Sequence, residues 1–423
     1  MSEQRAGTTV HLAEDLAQWA VGLDPSAEDL ELGDRALLDT MAVALAARGH
    51  PLVQVAGGLD DAARWASIGH VLDFDDLHLP STAHVSVVCV PAVLASGGDA
   101  RAYLAAAGVM ARLGTALGWD HYARGWHATC TAGAPAAAVA AGLSLGLDVE
   151  GVARAMALAV PAAGGVQRAF GTAAKSLQVG FAAQAGVAAA GLVAAGASAD
   201  PGALDQWLAL VGGDPGRLRL AGPAVPGGLA VKLFPCCYAL QRPISAMRAL
   251  LASEPLPADR VARVVVRTPE AAVQPLIHRR PISGLQGKFS LEYAIAATLL
   301  DGHPGFASFT DEAVERPAAR ELVERVEVVT SPGGSDLLAG DVRIELLLRD
   351  GSTRAARLEA PPGAPSKPPG LEDLHAKFAD CGADVPGLLA GLTWPAAAGL
   401  LRECLPAGSP ALRSMPPAFR DVS

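Results

Sequence analysis

Gln178-Val-Gly-Phe-Ala-Ala-Gln-Ala-Gly-Val-Ala-Ala-Ala-Gly-Leu-Val-Ala-Ala-Gly-Ala-Ser-Ala199 carries no charged side chain and few bulky ones. It is long enough to cross a bilayer, as is the uncharged stretch Ala128–Leu147. Yet Gln184 interrupts the first and Pro135 the second, and neither has a Trp/Tyr belt or a flanking Lys/Arg cluster. Ala and Gly let helix backbones approach closely. Both stretches are therefore expected as central helices of a tightly packed soluble bundle.

The pattern extends outward on both sides. Apolar positions recur at helical spacing in Leu30–Ala47, Ala102–Leu117, Ala134–Leu145, Val152–Val160 and Val179–Ala195, with Gly and Pro at the joins. Hydrophobic residues make up 51% of the 423 positions but aromatics only 4%, so Ala, Leu and Val must build the core. A Gly/Pro-rich passage, Gly212 to Gly228, then marks a change of regime. Strands follow at Val261–Arg267, Val326–Thr330, Val342–Leu348 and Thr353–Leu358, the last two joined by the turn Arg349-Asp-Gly-Ser. Helices are expected at Leu291–Leu300, Ala318–Arg325, Leu371–Phe378 and Trp394–Cys404, and Ala360 to Gly370 reads as a stiff, extended linker. The chain is thus predicted to be mainly α: a large all-α domain, a smaller α+β domain, and a C-terminal helical return.

A net charge of −10, spread without a like-charge block, argues against nucleic acid and against an anionic membrane surface. The six cysteines form no CxxC pair or zinc spacing, and Met1-Ser-Glu-Gln-Arg leads into an amphipathic helix from His11, not a secretory signal. A reduced, cytoplasmic compartment is expected.

Lysine is scarce: Lys175, Lys232, Lys288, Lys367 and Lys377 are all there is, among 33 basic residues. In an arginine-rich chain a retained lysine points to a need for a compact ammonium whose pKa can shift. Lys175 in Phe170-Gly-Thr-Ala-Ala-Lys-Ser-Leu and Lys232 in Leu229-Ala-Val-Lys-Leu-Phe-Pro-Cys-Cys lie in apolar company, although either could snorkel from a helix end.

The densest polar cluster is His70-Val-Leu-Asp73-Phe-Asp75-Asp76-Leu-His78-Leu-Pro-Ser-Thr-Ala-His84. Carboxylate and imidazole suit a divalent metal, but these residues do not repeat at i, i+4, and no metal is expected. Acid–base work needs only a His that moves a proton and an Asp that holds it. Capping and turn formation around Pro80 account for Asp75, Asp76 and Ser81. His127, in Gly125-Trp-His-Ala-Thr-Cys-Thr, opens an Ala-rich helix whose N-terminus suits a carboxylate, or is an ordinary cap. Tyr293, in Lys288-Phe-Ser-Leu-Glu-Tyr, starts an apolar helix and either reaches a cleft or lies at a domain surface. Together these groups describe a site for a small polyanion undergoing proton transfer, with no nucleotide fingerprint.

In order along the chain, these motifs resemble those of the MmgE/PrpD family, which includes 2-methylcitrate dehydratases, cis-aconitate decarboxylases and iminodisuccinate epimerases. The resemblance implies a helical domain (1–230, with a return at 387–423), a lid domain (231–386), a homodimer, and a cofactor-free site between the domains for a small polycarboxylate. By analogy Asp73, His84, His127, Lys175, Lys232 and Tyr293 would line that site, with Cys237 beside the substrate. Departures stand out: Leu77 for a usual Thr, Val85 for Pro, and Gln178, Gln241 and Cys237 at positions often held by His; the segment from Pro51 to His70 is also short. Fewer donors suit a substrate with fewer carboxylates, or a specialised biosynthetic one.

The expected mechanism uses Lys175, Lys232 and the helix terminus at His127 to neutralise carboxylate and enolate-like charge. His84, oriented by Asp73, serves as general acid or base, with Tyr293 or His127 handling the opposite proton. A 2-methylcitrate dehydratase-like hydro-lyase ranks first, then a decarboxylase, which Cys237 disfavours, then an epimerase. A catalytically inactive scaffold or ligand-binding dimer is the rival from another class.

Overall fold

Ser26, Asp60, Asp99 and Asp148 each stand one residue ahead of a helix and accept a hydrogen bond from the backbone N–H three residues on. These caps satisfy donors that a helix start leaves unpaired. In the computed structural model, which describes residues 11–253 and 256–408, they open α1 (Ala27–Ala46), α2 (Asp61–Val71), α4 (Ala100–Ala123) and α6 (Val149–Ala159). Between them lie α3 (Ser86–Ala95) and α5 (Ala128–Ser144), and α7 (Ala173–Ala194) completes the bundle. Residues 1–10 and 409–423, the ends of the expected helical domain and its return, lie outside the described residues.

The close packing anticipated from Ala and Gly is observed. A Cβ at Gly186 of α7 would collide with the α5 backbone at Ala134 and Ala138, and one at Gly180 with Ser67 and Ala63 of α2. α5 is buried from Ala128 to Gly142, as a central helix should be. α7 departs from that expectation. It is long and apolar enough to cross a membrane, and only one face is buried; Phe181 and Leu192 on the other are 51% and 55% exposed.

The α+β domain has its own core of Phe234, Leu240, Ile244, Val264, Ile295 and Ile344. Its four strands, β1 (Val261–Pro269), β2 (Val326–Ser331), β3 (Val342–Leu348) and β4 (Thr353–Leu358), are ordered β2-β1-β3-β4. β1 runs parallel to β2 and antiparallel to β3, and β3 pairs antiparallel with β4. β3 alternates buried and exposed positions, so one face meets α8 (Tyr238–Ser253) and the other meets water. α9 (Leu291–Asp301) packs beside α8. α10 (Leu371–Asp380) and α11 (Trp394–Cys404) return to the helical core, where Trp394 and Leu401 are buried.

The Pro-rich segment after β4 is not extended. Gly363 N–H donates to the Lys367 carbonyl and Lys367 N–H to that of Ala364, closing a compact turn. The Gly363 carbonyl accepts from Val231 N–H, and its positive φ of 89° leaves no room for a Cβ against Val231. Proline restricts each residue, but this tertiary contact decides the path.

Candidate active site

The site is assembled where α2 ends. Leu72 caps the helix, and at Asp73 the backbone turns left-handed (φ 54°). The Asp73 carboxylate is thereby delivered to two ammoniums: Lys232 Nζ donates to Oδ1 at 2.6 Å and Lys175 Nζ at 3.3 Å. Burial works to raise the Asp73 pKa, but Lys175 and Lys232 outweigh it and hold the carboxyl far below its ordinary range. Burial works against charge on Lys232, and Asp73 reverses this and raises it. Lys175 lies in the first turn of α7 and is 5% exposed; Lys232 is fully buried.

Lys175 Nζ also lies 2.6 Å from His70 Nε2. An ammonium can only donate, so Nε2 accepts and the His70 proton sits on Nδ1, which meets Asp75 Oδ2 at 2.8 Å. His84 Nδ1 approaches the same oxygen at 3.0 Å. A chain therefore runs Lys175, His70, Asp75, His84. The His84 backbone N–H is fixed by Thr129 Oγ1 at the start of α5. Burial lowers the His84 pKa to about 4, against the pull of Asp75, so its imidazole is neutral at pH 7. His70 and His127 are lowered too, by burial first.

His127 stands at the N-cap of α5 without capping it through its side chain. Its ring stacks 5.9 Å from His70 and meets Phe170 edge-on at 5.1 Å. Gln178 Oε1 accepts from Val166 N–H, which turns its amide nitrogen toward His127 Nδ1 at 2.7 Å. His127 thus carries its proton on Nε2. The α+β domain contributes Lys232, Cys237, Lys288 and Phe289, the last stacked on Phe170 at 5.1 Å with Lys175 near both rings. Burial pushes the Cys237 thiol up to about 12, which keeps it neutral.

Lys175, Lys232, His84, His127, Asp73 and Cys237 are therefore brought together in one buried cluster. Three expectations need correction. The carboxylate facing His84 is Asp75, not Asp73, because both lysines take Asp73. Asp75 is no turn residue; the capping role expected of it belongs to Asp76, which accepts from Ser86 N–H at the start of α3. Tyr293 does not join the cluster either. Its hydroxyl donates to the Ser308 carbonyl and its ring packs on Phe309, beside the Asp301–Arg316 pair. Tyr122, whose hydroxyl is raised by burial and by nearby Cys237 and Asp73, is the phenol within electrostatic reach of the site. The sequence reading also missed His70, although it stands in the quoted motif.

The departures from the family pattern find local roles. Gln241 Oε1 accepts from Leu233 and Phe234 N–H, pinning the loop that presents Lys232. Leu77 is buried and pairs through its backbone with Ala230. His78 bonds Ser81 and the Pro226 carbonyl, away from the cluster.

His70, Asp75 and His84 place donor atoms within 4.8 Å of one another, a spacing a small cation could span. The donor set fits one poorly: both imidazoles lean on a single Asp75 oxygen, and Lys175 lies against His70. Two ammoniums, Lys175 and Lys232, share the one Asp73 carboxylate, and this shared pair is the part of the centre suited to an anion. Access is narrow: His84 at 8% and Cys237 at 7% are its most exposed members. A cavity of about 450 Å³ lined by Phe74, Pro235, His303, Phe306 and Arg316 lies beside the cluster without including its His or Lys residues.

Comparison with known proteins agrees with this architecture. The MmgE/PrpD N-terminal domain matches residues 58–207 and the MmgE/PrpD C-terminal domain residues 234–387. A cis-aconitate decarboxylase of Aspergillus terreus (strain NIH 2624 / FGSC A1156) is 30% identical over 346 residues, covering 72% of this chain and 70% of its own length. Cis-aconitate decarboxylases of Homo sapiens and Mus musculus are each 28% identical, covering 73% of this chain and 69% and 68% of theirs. With two family domains matched in order and helical and α+β parts arranged around one buried cluster of charged groups and imidazoles, this chain belongs to the MmgE/PrpD family.

Proposed function

We propose that the chain is a cofactor-independent lyase that breaks a bond beside a carboxylate of a small polycarboxylic acid, and that its reaction is decarboxylation of cis-aconitate or a close analogue. The observation that carries this reading is the make-up of the centre: the ammoniums of Lys175 and Lys232 are buried together on the single Asp73 carboxylate, among imidazoles that burial keeps neutral. The relatives' activity favours decarboxylation over the dehydration ranked first from sequence.

On loss of CO₂, the electrons of the breaking C–C bond pass into the adjoining unsaturated carboxylate. Lys175 and Lys232 are placed to stabilise that charge in a site shielded from water. A proton then returns to carbon. His84 is the proposed donor: it is neutral in the free protein, and a polyanion beside it would raise its pKa so that a proton enters with the substrate. The Lys175–His70–Asp75 chain would stabilise the imidazolium, and the Cys237 thiol would donate to a substrate oxygen. Neither Gln178 nor Gln241 is free to bind substrate, so the pocket would hold fewer carboxylates than a His-rich relative. A hydro-lyase is the second reading. Asp73 Oδ2 and Asp75 Oδ1 are buried without a donor on the protein and could accept from a substrate hydroxyl.

Incubation with cis-aconitate, citrate, 2-methylcitrate and iminodisuccinate in deuterated buffer, followed by NMR, tests the assignment. CO₂ release from cis-aconitate with one deuterium in the product is expected. No turnover and no exchange in any of the four rejects the lyase and leaves the scaffold. We also propose a lid role for the α+β domain and a homodimer, for which the apolar flank of α7 offers a surface. Light scattering should return twice the chain mass.

A further inference from the structure

Four of the five lysines are buried, and all four converge on one tripeptide; only Lys367 is exposed. Lys288 Nζ donates to the Leu72 carbonyl at 2.6 Å, Lys232 Nζ to the Asp73 carbonyl at 2.9 Å, and Lys377 Nζ to the Phe74 carbonyl at 2.8 Å. Three consecutive carbonyls thus each receive a different ammonium, from positions 216, 159 and 303 residues away. Lys288 also holds the Pro235 carbonyl at 2.6 Å, bridging the two domains. Lys377 pairs with buried Asp39 at 2.6 Å and lies over the Phe74 ring.

The chemistry of the segment explains why it needs holding. Leu72 is the C-cap of α2, where helix carbonyls lack intrahelical partners and a cation is favoured. Asp73 is left-handed, a conformation an aspartate keeps only where its surroundings over-determine it. Each lysine extends a compact ammonium to a single carbonyl of this segment, whereas the buried guanidiniums of Arg112 and Arg242 each gather several carbonyls elsewhere.

We propose that Lys288 and Lys377 are positioning residues that lock the Leu72–Asp73–Phe74 backbone so that the Asp73 carboxylate stays between Lys175 and Lys232. Neither hydrogen-bonds to an imidazole of the site. Because Lys288 arrives from the α+β domain and Lys377 from α10, the lock closes only when both elements dock on the helical bundle. The kinetic consequence rests on the lyase reading above; the backbone lock does not.

Full-length Lys288→Met and Lys377→Met, with Lys367→Met as the surface control, test it by amide hydrogen exchange of a peptide spanning residues 70–78 and by cis-aconitate kinetics. In both variants exchange of that peptide should rise while α5 peptides stay protected, kcat should fall about 10- to 100-fold through misplacement of Asp73, and KM should hold. Lys288→Arg should not restore kcat. A folded variant with wild-type exchange at 70–78 overturns the lock, whatever the substrate. Raised exchange with unchanged kcat overturns the positioning role. Wild-type protein inert toward every carboxylate would sink the lyase reading, and exchange would still decide the lock. If Lys288→Met does not fold, Lys377→Met, on the outlying α10, decides on the same readouts.

Discussion

Asp75→Asn changes one charge and almost no volume at the point where His70 and His84 meet. Asp75 is 1% exposed, and its Oδ2 lies 2.8 Å and 3.0 Å from the two Nδ1 atoms. If His84 becomes an imidazolium as the substrate binds, Asp75 faces that charge across about 4 Å, and at an effective dielectric of about 20 the attraction is worth about 4 kcal/mol. Removing it raises the barrier to any step that uses the imidazolium, by about 10³-fold in kcat. The amide still offers an oxygen to both rings, and Asp75 Oδ1 has no protein donor to lose, so the fold should persist. Circular dichroism establishes the fold, and steady-state kinetics with cis-aconitate give kcat. A folded Asp75→Asn protein retaining kcat within about tenfold of wild type would show that His84 does not work through this carboxylate.

Lys175→Arg should reduce kcat by about 10²-fold or more while leaving the melting temperature nearly unchanged, since a planar fork cannot fit between His70 Nε2 and Asp73; equal losses of folding and activity would make Lys175 structural. Polycarboxylate binding at pH 7 should take up protons, because His84 starts neutral with a pKa of about 4 and the anion raises it; calorimetry in buffers of different ionisation enthalpy measures the uptake, and zero uptake refutes it. Stability should fall as pH drops from about 6.5 toward about 4. His84 and His78, both depressed to about 4, bind fewer protons folded than unfolded in that window, so each contributes stability above pH 6.5 that is lost on acidification, up to about 3 kcal/mol apiece. Asp76, raised to about 7, acts in the opposite sense, but five further imidazoles are depressed against two other raised carboxyls, Asp39 and Glu292. A melting temperature flat or rising between pH 6.5 and 4.5 contradicts this balance.

Much of the architecture could be read along the chain because it is local. β3 and β4 fall on the expected residues since their alternation and the Asp350-Gly351 turn are short-range signals. The Ala-rich helices follow from composition and period. The partnerships of the charged groups are different. Lys175 and Lys232 reach Asp73 from 102 and 159 residues away, and nothing near Asp73 or Asp75 says which carboxylate the lysines take and which the imidazoles take. The place of Tyr293 is long-range too: its helix starts at Leu291 as expected, but Phe309 and the Ser308 carbonyl turn the phenol away from the cluster. Gln178 and Gln241 read as losses of imidazole, whereas each holds a site element in place, a role visible only once Val166 and Phe234 are beside them.

A crystal structure with a saturated, unreactive tricarboxylate bound reports most directly on the anion-binding centre. One ligand carboxylate should lie within hydrogen-bond distance of both Lys175 Nζ and Lys232 Nζ, with ligand carbon against His84. A ligand held instead in the Phe306–Arg316 cavity, with Lys175 still on His70, would contradict the account.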